Sequence, residues 1–381
     1  MQATRPAAGR FYRPELDVVR FLAFLLVFLH HVVPNSNDPR FPAVFKGYSP
    51  LVFASSFAFG FGLSLFFTLS AFLICELLLR ERESTGTVHV GQFYIRRILR
   101  IWPLYYLGLA IGVAVAVLPG GDRRAVAEMG WFGIFMSTWY LASHIGPSSP
   151  MNPLWSISVE EQFYLCVPWI SKYLSRKLIC GFCIMLLLLS NSSLFYLGRT
   201  DASGSSIWFN SIVQFQCFAA GILLCLFFHG RVPKLALWRR TTLLVTSGAC
   251  WFFACYRLHA LFTYTSTAEN PGSWPLIAGY GLGTLGCVLL IVAFLGIDTK
   301  LLPGWAIYLG RISFGLYVYH QLALNIAGHI KIGHVTSYAI LIYILRIVLA
   351  LGLDVLMAAV SYRYFEMPFL RMKQRHAYIR S

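Results

Sequence analysis

Long apolar segments separated by short polar ones make up most of this 381-residue chain. A helix that crosses a membrane needs roughly 17–25 mainly apolar residues. Several segments reach or approach that length, which predicts an all-α fold, a polytopic transmembrane helical bundle of about ten spans. The predicted spans are 18–33, 60–79, 101–118, 154–171, 178–198, 207–228, 241–258, 274–297, 305–327 and 338–362.

Two shorter apolar segments complete the pattern. Residues 131–142 are too few to cross a bilayer, and we predict a re-entrant or surface segment there. Residues 51–59 are expected to form a similar segment leading into the second span. Neither an internal repeat nor a long linker interrupts the sequence, so residues 1–381 are predicted to form a single membrane domain.

The composition is typical of a protein that resides in lipid. Hydrophobic residues make up 57% of the chain and charged residues only 12%, with a mean hydropathy of +0.65. Soluble domains carry about 25% charged residues. The lipid bilayer is therefore an expected partner of this chain.

The net charge of +16 would also suit a protein that binds nucleic acid, but its distribution favours a different cause. With a cytosolic N-terminus, 21 of the 31 lysines and arginines lie in cytosolic segments and 7 in outer loops. This excess follows the positive-inside rule. We therefore expect both termini in the cytosol and no nucleic-acid partner.

The first span carries an ionisable residue near each end. Arg20 and His31 are 11 residues apart. At about 100° per residue they share one helix face and are separated by roughly 16 Å along the axis. His30 is rotated by about 100° and is predicted to face elsewhere. Arg20 either extends to lipid phosphates or acts with His31, whose side chain can exchange protons near neutral pH.

Two further arginines mark the cytosolic entry to the third span, in the segment "FYIRRILRIWPLYY". Arg97 and Arg100 are three residues apart and share a helix face, where two guanidinium groups can bind phosphate. The alternative is that they anchor the helix at the cytosolic surface. Arg96 is expected to serve as such an anchor.

Two adjacent glutamates lie in the fourth span, in "NPLWSISVEEQFYLCVPWI". Carboxylates inside a membrane are costly unless they have partners. Glu160 and Glu161 point about 100° apart, so at most one of them can address the space in front of His31. That carboxylate either orients the histidine or pairs with an arginine to hold helices together.

The last two spans contain two more polar motifs. In "ISFGLYVYHQLAL", His320 either contributes to the substrate site or forms a hydrogen bond between helices. In "SYRYFEMPFLR", Glu366 and Pro368 are predicted to end the last helix on the cytosolic side. The patterns GxSxG, Walker A and HExxH do not occur, which disfavours soluble hydrolases, nucleotide-binding proteins and zinc proteases. No metal site is predicted.

Taken in order, these segments resemble the acyltransferase-3 family of integral membrane O-acyltransferases, and the resemblance covers essentially the whole chain. It begins with "YRPELDVVRFLAFLLVFLHH" at residues 12–31. It implies ten spans, cytosolic termini, His31 as the catalytic base, and Arg97 and Arg100 as residues that handle the acyl-CoA donor. Some family members carry an additional SGNH-type domain, and this chain is expected to be a stand-alone member.

We therefore expect an O-acyltransferase in the plasma (inner) membrane of a bacterium. It would move an acyl group, most often acetyl in this family, from cytosolic acyl-CoA (acetyl-CoA) to a hydroxyl of a carbohydrate or glycosylated acceptor. His31 would either deprotonate that hydroxyl or briefly accept the acyl group itself. The alternative is a transporter or flippase for a glycan, which would also need ionisable residues in the membrane. The predicted catalytic residues are His31, Glu160 and Glu161, and the predicted donor-binding or substrate-binding residues are Arg20, Arg97, Arg100 and His320.

Overall fold

The computed structural model describes residues 12–32, 49–118, 121–144, 149–261, 270–329 and 339–376. Every regular element within these ranges is a helix. The α-helices are α1 (Pro14–Val32), α2 (Ser49–Thr85), α3 (Val90–Val117), α4 (Arg124–Gly133), α5 (Ser137–Leu141), α6 (Trp155–Tyr173), α7 (Arg176–Arg199), α8 (Gly204–Trp208), α9 (Ser211–Phe228), α10 (Leu237–Tyr256), α11 (Ser273–Phe294), α12 (Gly304–Arg311), α13 (Ser313–His329), α14 (Ala339–Ser361) and α15 (Met367–Arg375).

Helices cover most of the described part of each predicted span. Within the described ranges, six stretches are long and apolar enough to cross a membrane: Pro50–Thr85, Val90–Val117, Arg176–Arg199, Gly204–Phe228, Ser273–Phe294 and Leu341–Arg375. The prediction of an all-helical membrane protein is thereby confirmed. The predicted cytosolic ends fall partly on residues 1–11 and 377–381, which lie outside the described ranges.

The other predicted spans are shorter or carry more charge. Helix α1 contains Glu15, Asp17 and Arg20 within its first two turns. Helix α10 begins with two arginines, Arg239 and Arg240, just after its first turn starts. The predicted span 305–327 consists of two helices, α12 and α13, which meet at a break at Ile312.

Helix α2 lies at the centre of the bundle and packs against α1, α6, α9, α10 and α11. Its most apolar window is 78% buried, against 17% for the last stretch, Leu341–Arg375. The prediction of a separate segment at 51–59 is wrong, because these residues belong to α2. Pro50 occupies the first turn, where a proline costs no hydrogen bond, and no breaker follows it.

The apolar segment 131–142 forms parts of two short helices, α4 and α5. They are too short to span a bilayer and pack against α3 and α6 respectively. The Tyr105 hydroxyl of α3 donates a 2.7 Å hydrogen bond to the Phe132 carbonyl and fixes α4 in place. The outer faces of both helices remain exposed at Trp131 and Trp139.

The prediction that Glu366 and Pro368 end the last helix is wrong. A π-helical turn at Tyr362–Glu366 connects α14 to α15, and the chain stays helical to Arg375. Pro368 sits in the first turn of α15, where the N–H it lacks would have no helical partner. The wider π turn lets the chain accommodate the proline without stopping.

The helices that carry the predicted site residues meet around α1 and α3. Helix α1 packs against α2, α12 and α13, while α3 packs against α6, α13 and α15. Very close contacts hold the bundle together. At Gly221 of α9, an added Cβ would lie 2.2 Å from the Thr68 carbonyl oxygen of α2.

We predict that Gly221→Ala destabilises the protein by about 1–3 kcal/mol, because the methyl group forces α9 away from α2. Gly248→Ala on α10 is the matched control, since nothing lies within 4 Å of its added Cβ. That control should be neutral or slightly stabilising, because alanine favours helix more than glycine does. Thermal unfolding of the detergent-purified variants measures both effects, and equal melting temperatures would contradict the packing described here.

Candidate active site

The end of α1 brings two histidines together. The rings of His31 on α1 and His320 on α13 lie 5.0 Å apart between centroids, with an angle of 63° between their planes. His320 is completely buried, whereas the side chain of His31 is exposed. The structure therefore places His320 beside His31, and the His31 side chain is the exposed member of the pair.

Hydrogen bonds to backbone carbonyls fix which nitrogen of each histidine carries the proton. His31 Nδ1 lies 2.8 Å from the Val27 carbonyl oxygen, and His320 Nδ1 lies 2.7 Å from that of Tyr317. Because a carbonyl oxygen can only accept, each Nδ1 must donate. In the neutral rings the lone pair is then on Nε2, so His31 Nε2 is the atom that can take a proton.

His320 Nε2 is buried and has no hydrogen-bond partner within the described ranges. A buried, unpaired acceptor is uncommon and costs free energy. It lies on the ring that contacts His31. When His31 Nε2 takes a proton, it becomes a hydrogen-bond donor. His320 Nε2 on the neighbouring ring could accept a hydrogen bond from it.

His30 faces a different direction from His31, as predicted, but is not remote from it. Its Nδ1 lies 2.9 Å from the Ser56 carbonyl oxygen of α2, and its ring packs against Phe57. The ring centroids of His30 and His31 are nevertheless only 5.1 Å apart. His30 thus ties α1 to α2 directly behind the candidate base.

At the other end of α1, Arg20 meets the arginines of α3. Its guanidinium bonds to Asp17 at 2.5 Å, and it is within electrostatic range of Arg100. Arg97 lies over the rings of Phe93 and Tyr164, at 5.4 and 5.6 Å from their centroids. The structure therefore brings the three predicted donor-binding arginines together.

Two of these arginines lack a carboxylate partner. Among the described residues, no carboxylate oxygen lies within 4.0 Å of Arg97 or Arg100, and the Arg97 Nε is buried without a hydrogen bond. Arg96 differs, because it pairs with Glu81 at 2.7 Å and also donates to the His376 carbonyl oxygen. Arg96 is therefore a link between helices, while Arg97 and Arg100 can accept an anion.

The two glutamates point in different directions, as their spacing predicted. Glu160 accepts a 2.9 Å hydrogen bond from the Tyr164 hydroxyl, and Glu161 accepts a 3.3 Å bond from the Trp102 indole. Within the described ranges neither glutamate forms a hydrogen bond with His31. Both are within electrostatic range of Arg97, but in the described part of the chain neither forms an ion pair with it.

Polar side chains connect the arginines to the histidines. Ser156, Glu160 and Tyr164 recur every four residues and therefore share one face of α6. Glu160 is within electrostatic range of Tyr317 on α13. The Tyr317 ring lies 5.5 Å from the His320 ring.

Tyr317 is held firmly in this polar row. Its hydroxyl donates a 2.7 Å hydrogen bond to the Pro153 carbonyl oxygen and lies 2.7 Å from the Ser156 hydroxyl. Sequence reasoning missed Ser156, Tyr164 and Tyr317. Their four-residue spacing from Glu160, and the three-residue spacing of Tyr317 from His320, are the signals that could have found them.

Comparison with known proteins gives a consistent picture. A family model described as an acyltransferase domain matches residues 13–358. No solved structure matches the chain. The matched region includes every residue of the candidate site named above except His376.

Among curated proteins, the chain is 23% identical to a protein named "putative O-acetyltransferase" from Staphylococcus aureus (strain MSSA476), over 94% of this chain and 57% of that protein. It is 24% identical to the "putative peptidoglycan O-acetyltransferase" YrhL of Bacillus subtilis (strain 168), over 94% and 55% respectively. It is 31% identical to the peptidoglycan O-acetyltransferase OatA of Listeria monocytogenes, over 42% and 24%.

The chain spans little more than half the length of the first two of these relatives, 57% and 55%. The family model nevertheless covers most of this chain, from α1, which carries Arg20 and His31, to α14, which packs against the helix of His320. This chain therefore belongs to the acyltransferase domain family.

Proposed function

We propose that this protein is a membrane O-acyltransferase that moves an acetyl group from acyl-CoA to a hydroxyl of a carbohydrate. The proposal rests on the polar row formed by Ser156, Glu160, Tyr164 and Tyr317, which connects two groups of different chemistry. Arginines without carboxylate partners lie at one end, and a histidine with a free Nε2 lone pair lies at the other. The names of the relatives support acetyl as the acyl group.

The donor would bind with its phosphates at Arg97 and Arg100 and with Arg20 beside them. Guanidinium groups bind phosphate through paired, charge-assisted hydrogen bonds. Arg20 and His31 are separated by roughly 16 Å along α1. The extended pantetheine arm of coenzyme A is of comparable length, so the thioester would reach His31.

His31 would then act as the general base. Its Nε2 takes the proton of the acceptor hydroxyl while the hydroxyl oxygen attacks the thioester carbonyl carbon. The new C–O bond forms, the C–S bond breaks, and coenzyme A leaves as a thiolate that takes the proton from His31. His320 Nε2 would accept a hydrogen bond from the protonated His31 between these steps.

We propose the plasma membrane of a bacterium as the location, with ten spans and cytosolic termini in a single membrane domain. The even number of predicted spans, and the excess of lysine and arginine in the segments assigned to the cytosol, support this topology. In it, the arginines face the cytosol, where acyl-CoA is made. His31 lies in the outer half, where a peptidoglycan or other surface glycan would approach.

The competing function is transport of a glycan by the same bundle. A transporter needs ionisable residues in the membrane, but it does not consume a thioester. Purified protein in detergent, given acetyl-CoA and peptidoglycan fragments, distinguishes the two. Release of free coenzyme A that depends on the acceptor supports the enzyme, while glycan movement across vesicles without thioester loss would support the transporter.

We predict that His31→Ala lowers kcat by about 10²–10⁴-fold, because the general base is lost. The KM for acetyl-CoA should change little, since the phosphate end of the donor is untouched. His329→Ala is the matched control, because His329 is an exposed histidine at the end of α13 and lies outside the polar row. Full activity in His31→Ala, measured as coenzyme A release, would remove His31 from the mechanism.

We predict that Arg97→Ala and Arg100→Ala each raise the KM for acetyl-CoA by roughly tenfold or more, because a charge-assisted hydrogen bond is worth about 1.5–3 kcal/mol. Activity with S-acetyl-pantetheine, which lacks the phosphates, should be much less affected. The exposed Arg239 of α10 supplies the control variant Arg239→Ala. If both donors lose activity equally, these arginines do not bind phosphate.

A further inference from the structure

A lysine at the C-terminal end of the described chain joins the arginine cluster. Lys373 lies on α15, the short helix that follows the π turn. It is within electrostatic range of Arg100, Arg97, Arg20 and Arg96. In the sequence, Lys373 is one of several basic residues in the C-terminal tail. The positive-inside rule alone explains its presence there.

Helix α15 is held against α3 by specific contacts. The Arg96 guanidinium donates to the His376 carbonyl oxygen at 3.0 Å, and His376 Nδ1 lies 2.8 Å from the Gln92 amide oxygen. Arg96 is the neighbour of Arg97 on α3, and Gln92 lies about one turn before it. These contacts fix the end of α15 against α3 and keep Lys373 near the arginines.

The orientation of Lys373 differs from that of its basic neighbour. Arg371 is exposed, whereas Lys373 is half-buried. On a helix, residues two positions apart point in nearly opposite directions. Lys373 therefore turns toward the cluster, and Arg371 turns away from it.

The cluster contains more positively charged side chains than carboxylates that pair with them. Arg20 has Asp17 at 2.5 Å, and Arg96 has Glu81 at 2.7 Å. Among the described residues, no carboxylate oxygen lies within 4.0 Å of Arg97, Arg100 or Lys373. Glu366 is within electrostatic range of Arg100 but forms no ion pair with it.

Three like charges brought together on two packed helices repel one another, and partial burial strengthens that repulsion. An anion with one phosphate would compensate the charge only in part. An anion with several phosphates on one molecule would compensate all three cations. The charge balance of the cluster therefore matches a polyphosphorylated ligand.

We propose that Lys373 is a third phosphate-binding residue and that α15 closes the donor site over the phosphorylated nucleotide of acyl-CoA. This inference rests on the proposed function and adds a residue and a helix to it. The shared chemistry is phosphate, which could also come from the headgroups of anionic lipids at the membrane surface. The test below separates these two sources.

The first arm compares Lys373→Gln, Lys373→Arg and the control Arg371→Gln. We expect Lys373→Gln to raise the KM for acetyl-CoA by about tenfold with kcat nearly unchanged. Lys373→Arg should retain most of the affinity, and Arg371→Gln should behave like the wild type. With S-acetyl-pantetheine as the donor, all four proteins should have similar KM values, and a KM change with both donors would overturn the proposal.

The second arm repeats the acetyl-CoA measurements in nanodiscs of phosphatidylcholine alone and in nanodiscs that contain phosphatidylglycerol. If Lys373 binds the donor, the KM ratio between Lys373→Gln and wild type persists without anionic lipid. A ratio that appears only with phosphatidylglycerol would assign Lys373 to lipid headgroups and overturn the proposal.

Coenzyme A release by the wild-type protein distinguishes a failure of this inference from a failure of the proposed function. Wild-type protein that releases no coenzyme A would contradict the function itself. Active wild-type protein with an unchanged KM in Lys373→Gln would contradict the role of Lys373 alone. Competitive inhibition by 3′,5′-ADP that weakens in Lys373→Gln provides an independent readout of phosphate binding.

Discussion

The feature on which the whole account depends is positive charge without a matching carboxylate inside an apolar bundle. Such charge is costly and is kept where a ligand supplies the missing anion. Arg97 and Arg100 have no ion-pair partner in the part of the chain that the structure describes, although the neighbouring Arg20 and Arg96 do. This contrast between neighbouring arginines of one cluster is the reason why we propose that Arg97 and Arg100 bind an anion.

The fold places the arginines and the candidate base at opposite ends of one helix. Helix α1 carries Arg20 near one end and His31 near the other, and α6 and α13 place Glu160 and Tyr317 between them. The histidine needs no carboxylate to orient it, because the Val27 carbonyl fixes its tautomer. The glutamates lie toward the arginine end instead, where Glu160 accepts a hydrogen bond from Tyr164 and is within electrostatic range of Arg97 and Arg20.

Much of this arrangement could be predicted from the sequence, because helical periodicity alone puts Arg20 and His31 on one face and separates Glu160 from Glu161. The contact between His31 and His320 could not, since it depends on how α1 packs against α13. The same holds for Lys373, which comes within electrostatic range of Arg100 because the π turn carries the helix past Pro368. Local spacing is readable in a sequence, whereas the packing of distant helices and the balance of charges between them are not.

The most direct test of the account is a structure of the full chain with a thioether analogue of acetyl-CoA bound in a nanodisc. The account predicts the phosphates within hydrogen-bond distance of Arg97 and Arg100, and the acyl end of the analogue beside His31 Nε2. Phosphates bound away from these arginines, or an acyl end separated from His31 by protein, would contradict it.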